Sequence, residues 1–171
     1  MEEFESLERK LNEKGVIFNR ADEILNADLT EIDGVEWKTK YYRCYKNDQS
    51  NDWENIPEKI TADCFVFSRP INDYRSFVEQ KFNENWSSYC KEIESDIQSS
   101  ENVKQFGRTF FNKSVKSGSD FFSLSPIKDK DGNYYLYING GNHRIAFLCW
   151  IGFEFDKNNL MNKLREINKF C

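Results

Sequence analysis

The chain of 171 residues has a single histidine, His143, and no two of its five cysteines stand close together. Cys44, Cys64, Cys90, Cys149 and Cys171 are too scattered for a zinc motif or a CxxC redox pair. They read as small buried hydrophobes. No apolar run approaches the length of a membrane span, which argues against a membrane partner. Positive charge is also in deficit, with 24 Lys and Arg against 29 Asp and Glu, a formal net charge of −5. Such a surface repels a phosphate backbone, so a dedicated nucleic-acid module is disfavoured. A small anion can still be held by a local cluster of N–H groups. The sequence contains no internal repeat and no low-complexity tract. The odd cysteine count, and an N-terminal stretch MEEFESLERKLNEKG that is acidic and amphipathic instead of an apolar export segment, fit a cytoplasmic setting.

What is present in quantity is apolar and aromatic. The composition is 39% hydrophobic and 16% aromatic, enough for a core and too much for global disorder. The length suits one domain spanning 1–171, with a helical N-terminal extension over 1–33.

Phe4, Leu7 and Leu11 recur at helical spacing and predict a short helix ending at Gly15. A second short helix is expected over 20–29. Residues 36–45 read as a strand and 46–58 as a polar loop holding Pro57. Residues 61–68, TADCFVFS, read as a buried strand closed by Arg69-Pro70. The longest helical stripe runs over 72–99, through Tyr74, Phe77, Val78, Phe82, Trp86, Tyr89, Cys90, Ile93 and Ile97. A further helix is expected over 108–118. A strand over 121–128 then meets the turn Asp129-Lys130-Asp131-Gly132, whose residues take turn dihedrals at little cost. A strand follows over 134–138, then a tight turn, a helix over 142–150 closed by Gly152, and a terminal helix over 158–170.

The stretch YYLYINGGNHRIAFLCWIG carries the chemistry. A strand that turns sharply into a helix needs glycine at the corner, supplied by Gly140 and Gly141. The first N–H groups of the helix have no internal partner and, with the helix dipole behind them, suit a phosphate or carboxylate. Arg144, in the first turn, can grip such an anion through two bonds. His143 can donate a hydrogen bond or move a proton near neutral pH. Asn139 and Asn142 offer amides for capping or for a ligand. The competing reading is an ordinary corner, with glycines for the turn, Asn142 as a helix cap and Arg144 in a surface ion pair.

Other charged groups carry the same two readings. Arg69 and Asp73 follow the strand predicted over 61–68. They are either a second phosphate-side arginine and a carboxylate acting as base or metal ligand, or a solvated charge and a helix cap. Arg108 either adds charge to a cleft or lies on the surface. Asp129 and Asp131 lack the spacing of a calcium loop and read as turn residues. Trp37, Tyr41, Tyr42, Tyr45 and Trp53 could stack on bases, but with no basic field around them they read as core or partner-packing residues.

The segment SLSPIKDKDGNYYLYINGGNHRIAFLCWIG resembles the signature of the ParB/sulfiredoxin-like superfamily, in which a strand leads into a Gly-x-His-Arg turn at the start of a helix. Gly141, His143 and Arg144 match that turn, Ala146 matches a small residue on the helix, and Pro126-Ile127 resembles a Pro-Ile pair common in these families. Two positions depart from the pattern: Gly140 stands where an acidic residue is frequent, and Phe147 where a small one is. No cysteine lies in the turn, so the catalytic cysteine of the peroxiredoxin reductases has no counterpart there. The resemblance implies an α+β fold, a small mixed sheet with surrounding helices, with its core over 61–155. It also implies nucleotide binding. Members of the superfamily include CTP-binding and CTP-hydrolysing partitioning proteins, ATP-using reductases of oxidised peroxiredoxin, kinases of free serine, and proteins assigned as nucleases. On that basis Gly140, Gly141, Asn142, His143, Arg144 and Arg69 would hold the phosphates of ATP or CTP with Mg2+, and His143 and Asp73 would be catalytic in phosphoryl transfer or nucleotide hydrolysis. Two alternatives stand beside it. One is a non-enzymatic protein-binding accessory or immunity-type factor of phage or mobile-element origin, with a protein partner. The other is a ParB-like nuclease.

Overall fold

The computed structural model describes residues 2–20, 23–27, 41–43, 53–116 and 123–168. Its strands are β1 (Tyr41–Arg43), β2 (Lys59–Ile60), β3 (Phe65–Phe67), β4 (Ser123–Asp129), β5 (Tyr134–Gly140) and β6 (Phe155–Asp156). Its α-helices are α1 (Glu2–Glu13), α2 (Tyr74–Lys81), α3 (Cys90–Ser99), α4 (Val103–Lys116), α5 (Asn142–Trp150) and α6 (Lys157–Asn168). This is a mixed α+β fold. A four-stranded sheet runs in the order β1-β4-β5-β3, and β2 pairs with β6 in a separate two-stranded sheet. In the larger sheet β1/β4 and β4/β5 are antiparallel, while β3 and β5 are parallel.

The alternation of β5 decides how the layers stack. Leu136 and Ile138 face the main core, and Tyr137 faces a second, smaller cluster with Tyr41, Val66 and Ile127. Phe65 and Phe67 of β3 join the main core, and Val66 joins the other side. The main core takes Phe4, Leu7 and Leu11 of α1, so this helix is built into the principal packing layer. At its centre is α5, whose residues from Ile145 to Trp150 are all buried. A helix apolar all round must be enclosed on all sides. Phe147 explains itself here: its ring lies 4.7 Å from Phe110 and 5.9 Å from Phe82, a spacing that suits tilted aromatic pairs.

Several expectations need correction. The helix expected over 20–29 is not formed by the described part of that segment. Residues 23–27 lie beside β3, with the Ala27 N–H on the Phe67 carbonyl and the Phe67 N–H on the Leu25 carbonyl. The strand expected over 61–68 is a 3₁₀ turn, Ala62–Cys64, followed by the short β3. The long helix expected over 72–99 is two helices joined by a π turn, Phe82–Trp86, and a 3₁₀ turn, Ser87–Tyr89. The reason is visible in the spacing. Tyr74, Val78, Phe82, Trp86 and Cys90 are all buried and follow one another at intervals of four. In a regular α-helix each such step drifts about 40° around the axis. A wider π turn holds Phe82 and Trp86 on the core side. The helix expected from 108 starts earlier, at Val103.

The hairpin turn is as expected. Asp129 accepts the N–H groups of Asp131 and Asn133 at 2.9 Å and the Tyr135 hydroxyl at 3.2 Å. Gly152 closes α5 with φ +78°. The strand expected over 36–45 is present at β1, and its remaining residues lie outside the described ones, as do Trp37, Tyr45, Cys44 and Cys171. Cys64, Cys90 and Cys149 are free and buried. Among the described residues no helix is long and apolar enough to cross a membrane.

Candidate functional site

Because β3 and β5 are parallel, their carboxyl ends open side by side. Ser68 leaves one and Gly141 the other. In open α/β sheets ligand sites gather at such neighbouring strand ends. Gly141 has φ +94° and ψ 24°, the left-handed conformation that favours glycine, and it is the N-cap of α5 with no side chain to close the helix start. The first intrahelical bond runs from the Ile145 N–H to the Gly141 carbonyl at 3.1 Å. A left-handed residue followed by helical ones turns successive N–H groups toward one concave spot.

Asn142 is buried, and its amide is spent on the other strand end. Its Oδ1 accepts the Ser68 N–H at 3.1 Å and its Nδ2 donates to Ser68 Oγ at 2.9 Å. The side chain is thus neither a cap nor a free ligand donor; it clamps the two strand exits together. Asn139 is engaged on the hairpin, donating to Ser125 Oγ at 3.0 Å and Ser123 Oγ at 3.3 Å. Gly140 ends β5 opposite Ser123.

At this corner lies a cavity of about 180 Å3 lined by Arg69, Lys81, Trp86, Gly141, Asn142, His143 and Arg144. The structure therefore brings Arg69, from the exit of β3, to the turn that holds Gly141, Asn142, His143 and Arg144. Gly140 and Asp73 are not among these lining residues. Asp73 is the N-cap of α2, accepting the Ser76 N–H at 3.2 Å and the Ser76 hydroxyl at 2.6 Å. The Ser76 hydroxyl, together with backbone N–H groups, holds its carboxyl below the ordinary value. Arg75 turns the other way, onto Glu8 at 2.8 Å and Glu79 at 3.2 Å, and joins α2 to α1. Arg108 is exposed on α4 and is not among the lining residues.

The imidazole of His143 stacks on Phe77. Burial pushes its pKa down to about 4, and the charges of Lys81, Arg69 and Arg144 push the same way. The ring is neutral at pH 7 and offers one N–H donor and one acceptor. The Arg144 guanidinium lies over the Trp86 ring, 5.4 Å from its centroid.

Sequence reasoning missed Phe77, Lys81 and Trp86 as site residues. Phe77 and Lys81 stand four apart on one face of α2, and Trp86 arrives through the π turn. The unbroken interval of four was the available signal, since π turns often mark functional sites.

A larger cavity, about 650 Å3, lies at the other end of the sheet, lined by residues that include Glu23, Asp63, Tyr74, Tyr135 and Cys149. Its carboxylates make it unsuited to an anion. Burial raises the Cys149 thiol well above its ordinary value, so it is no nucleophile.

Compared with family models, curated proteins and solved structures, the chain finds no match.

Proposed function

We propose that the protein binds the phosphate groups of a nucleotide at the Gly141–Arg144 turn, in a fold of the ParB/sulfiredoxin-like kind. One observation carries the reading. Arg69, Lys81 and Arg144 converge, from three different segments, on the cavity at the start of α5. Cations, free helix N–H groups and a neutral imidazole are the groups that bind a phosphoryl oxygen. The left-handed Gly141 between β5 and α5 supports the strand–turn–helix reading of the sequence.

ATP and CTP are the candidates that the resemblance offers. A site of about 180 Å3 is smaller than the ~300–1,000 Å3 typical of pockets that enclose a whole drug-sized ligand. The phosphates would enter, and the sugar and base would lie outside. Phosphoryl transfer or hydrolysis depends chiefly on positioning and charge. Of the two residues expected to be catalytic, His143 lines the cavity as a neutral N–H donor and Asp73 is not among the lining residues.

The nuclease alternative needs two acidic ligands converging near His143, and the described lining residues include none. The partner-binding alternative would be favoured by an exposed apolar patch and an obstructed turn. Ile17 and Tyr89 are the exposed large apolar side chains among the described residues, too few to make such a patch.

The test is a calorimetric or thermal-shift series with ATP, ADP, CTP and GTP on wild type and Arg144→Ala. A nucleotide that binds wild type and not the variant is the expected result. Unchanged affinity in Arg144→Ala overturns the assignment.

A further inference from the structure

The phosphate turn invites comparison with nucleotide sites that use Mg2+, and the residues here do not fit that ion. Magnesium takes oxygen ligands, usually one or two carboxylates beside the phosphates. No Asp or Glu is found among the described residues lining the cavity, and no group of three His, Cys, Asp or Glu that could hold a metal occurs among the described residues. The carboxylates of the neighbouring helix are committed elsewhere. Asp73 caps α2 through Ser76, and Glu79 pairs with Arg75.

We propose that this cavity takes a terminal phosphoryl group, as carried by a phosphomonoester or a nucleotide, without a divalent cation. The proposal rests on the phosphate-binding reading above and adds the ligand class and its charge balance. Arg69 and Lys81 take part in no ion pair among the described residues, although both line the same cavity as Arg144. By contrast, Arg75 has Glu8 and Glu79, and Lys10 has Glu94. Like charges gathered in one small space repel each other, and repel a divalent cation more strongly still. A phosphate dianion relieves that repulsion. The protein therefore supplies, from Arg69 and Lys81 at the turn that carries Arg144, the positive charge that Mg2+ brings in other phosphate sites. Neutral His143 adds an N–H donor without adding to the repulsion. The cavity size admits the terminal group and leaves the remainder of the ligand outside.

The experiment is isothermal titration of the full chain with inorganic phosphate, pyrophosphate, ATP and CTP, each in EDTA and in excess MgCl2. The expected result is binding in EDTA with affinity unchanged by magnesium, and a loss of about tenfold or more in Lys81→Gln, which removes one charge-assisted bond. Inorganic phosphate binding as tightly as ATP assigns a free-phosphate site; a preference for ATP or CTP assigns a nucleotide one. Either supports the proposal. Binding that appears only with magnesium overturns the metal-free inference and leaves the phosphate reading standing. No binding in either condition overturns both. Circular dichroism of Lys81→Gln separates lost binding from lost fold. If that variant does not fold, Arg69→Gln, at an exposed position, gives the same readout.

Discussion

The imidazole of His143 lies flat on the ring of Phe77, with centroids 4.1 Å apart and planes within 3° of parallel. The pairing fixes the ring at the mouth of a cationic cavity and shields one of its faces from water. A neutral imidazole tolerates that setting and an imidazolium does not. The chain's sole histidine is thereby made a donor that carries no charge at neutral pH.

The first prediction concerns that ring. An unperturbed imidazole titrates near 6.5, whereas His143 is held down to about 4. Between these values the unfolded chain binds the proton and the folded one does not. The stability contributed by the neutral ring is therefore complete above about pH 6.5 and is lost as pH falls toward 4. As there is only one histidine, a single imidazole signal in an NMR titration reports the midpoint directly. It should lie near 4 in the free protein and move upward in saturating phosphate, because a bound anion favours the charged ring. A midpoint near 6.5 in the free protein contradicts the buried, cation-flanked setting. His143→Gln should flatten the pH dependence of the melting temperature over the same window.

Asn142 should matter for architecture before it matters for ligand. Asn142→Ala leaves the Ser68 N–H without its acceptor, at a cost of about 1–3 kcal/mol. Asn142→Asp keeps that acceptor but sets a negative charge at the helix start beside the cavity. It should retain most of the stability and lose anion binding. Chemical denaturation and phosphate titration of the two variants separate these effects.

Asp73 tests a residue that motif reasoning placed in catalysis. As the N-cap of α2, Asp73→Ala should cost about 1 kcal/mol, and Asp73→Ser should recover most of it. Neither should change phosphate affinity. A large loss of turnover in Asp73→Ser, with stability intact, would restore the carboxylate to a catalytic role.

Gly107 sits within α4, where alanine would be preferred by about 1 kcal/mol on helix propensity alone. A Cβ built at this position falls 2.2 Å from Cδ1 of Phe153, which is buried. Overpacking of that kind costs about 1–3 kcal/mol, so the net effect of Gly107→Ala should be destabilising. A higher melting temperature in Gly107→Ala would mean that Phe153 yields with little resistance.

Much of the local structure was legible from spacing. Phe4, Leu7 and Leu11 marked α1, and the Asp129–Gly132 turn marked the β4–β5 hairpin. Gly152 marked the end of α5. These features depend on neighbours in sequence, through dihedral preference and periodicity. The segment 72–99 was legible as an apolar stripe and not as two helices, because a stripe of intervals of four fits a slightly drifting helix and a π turn alike. The segment 20–29 looked helical, yet residues 23–27 take a place beside β3, where Phe67 supplies hydrogen-bond partners forty and forty-two positions away. Local propensity gives way when backbone groups find partners in a sheet.

What the sequence by itself determined is the corner: an alternating strand, a glycine that accepts a left-handed turn, and His143 and Arg144 at the head of a buried helix. Those follow from the chemistry of adjacent residues. Tertiary structure alone decided what faces the corner. Ser68 reaches Asn142 across 74 positions, and the exit of β3 brings Arg69 with it. Lys81 and Trp86 join through α2 and the π turn. Their convergence depends on β3 pairing in parallel with β5, and that pairing is selected by burial of the whole core, on both sides of the sheet, not by any segment's own preference.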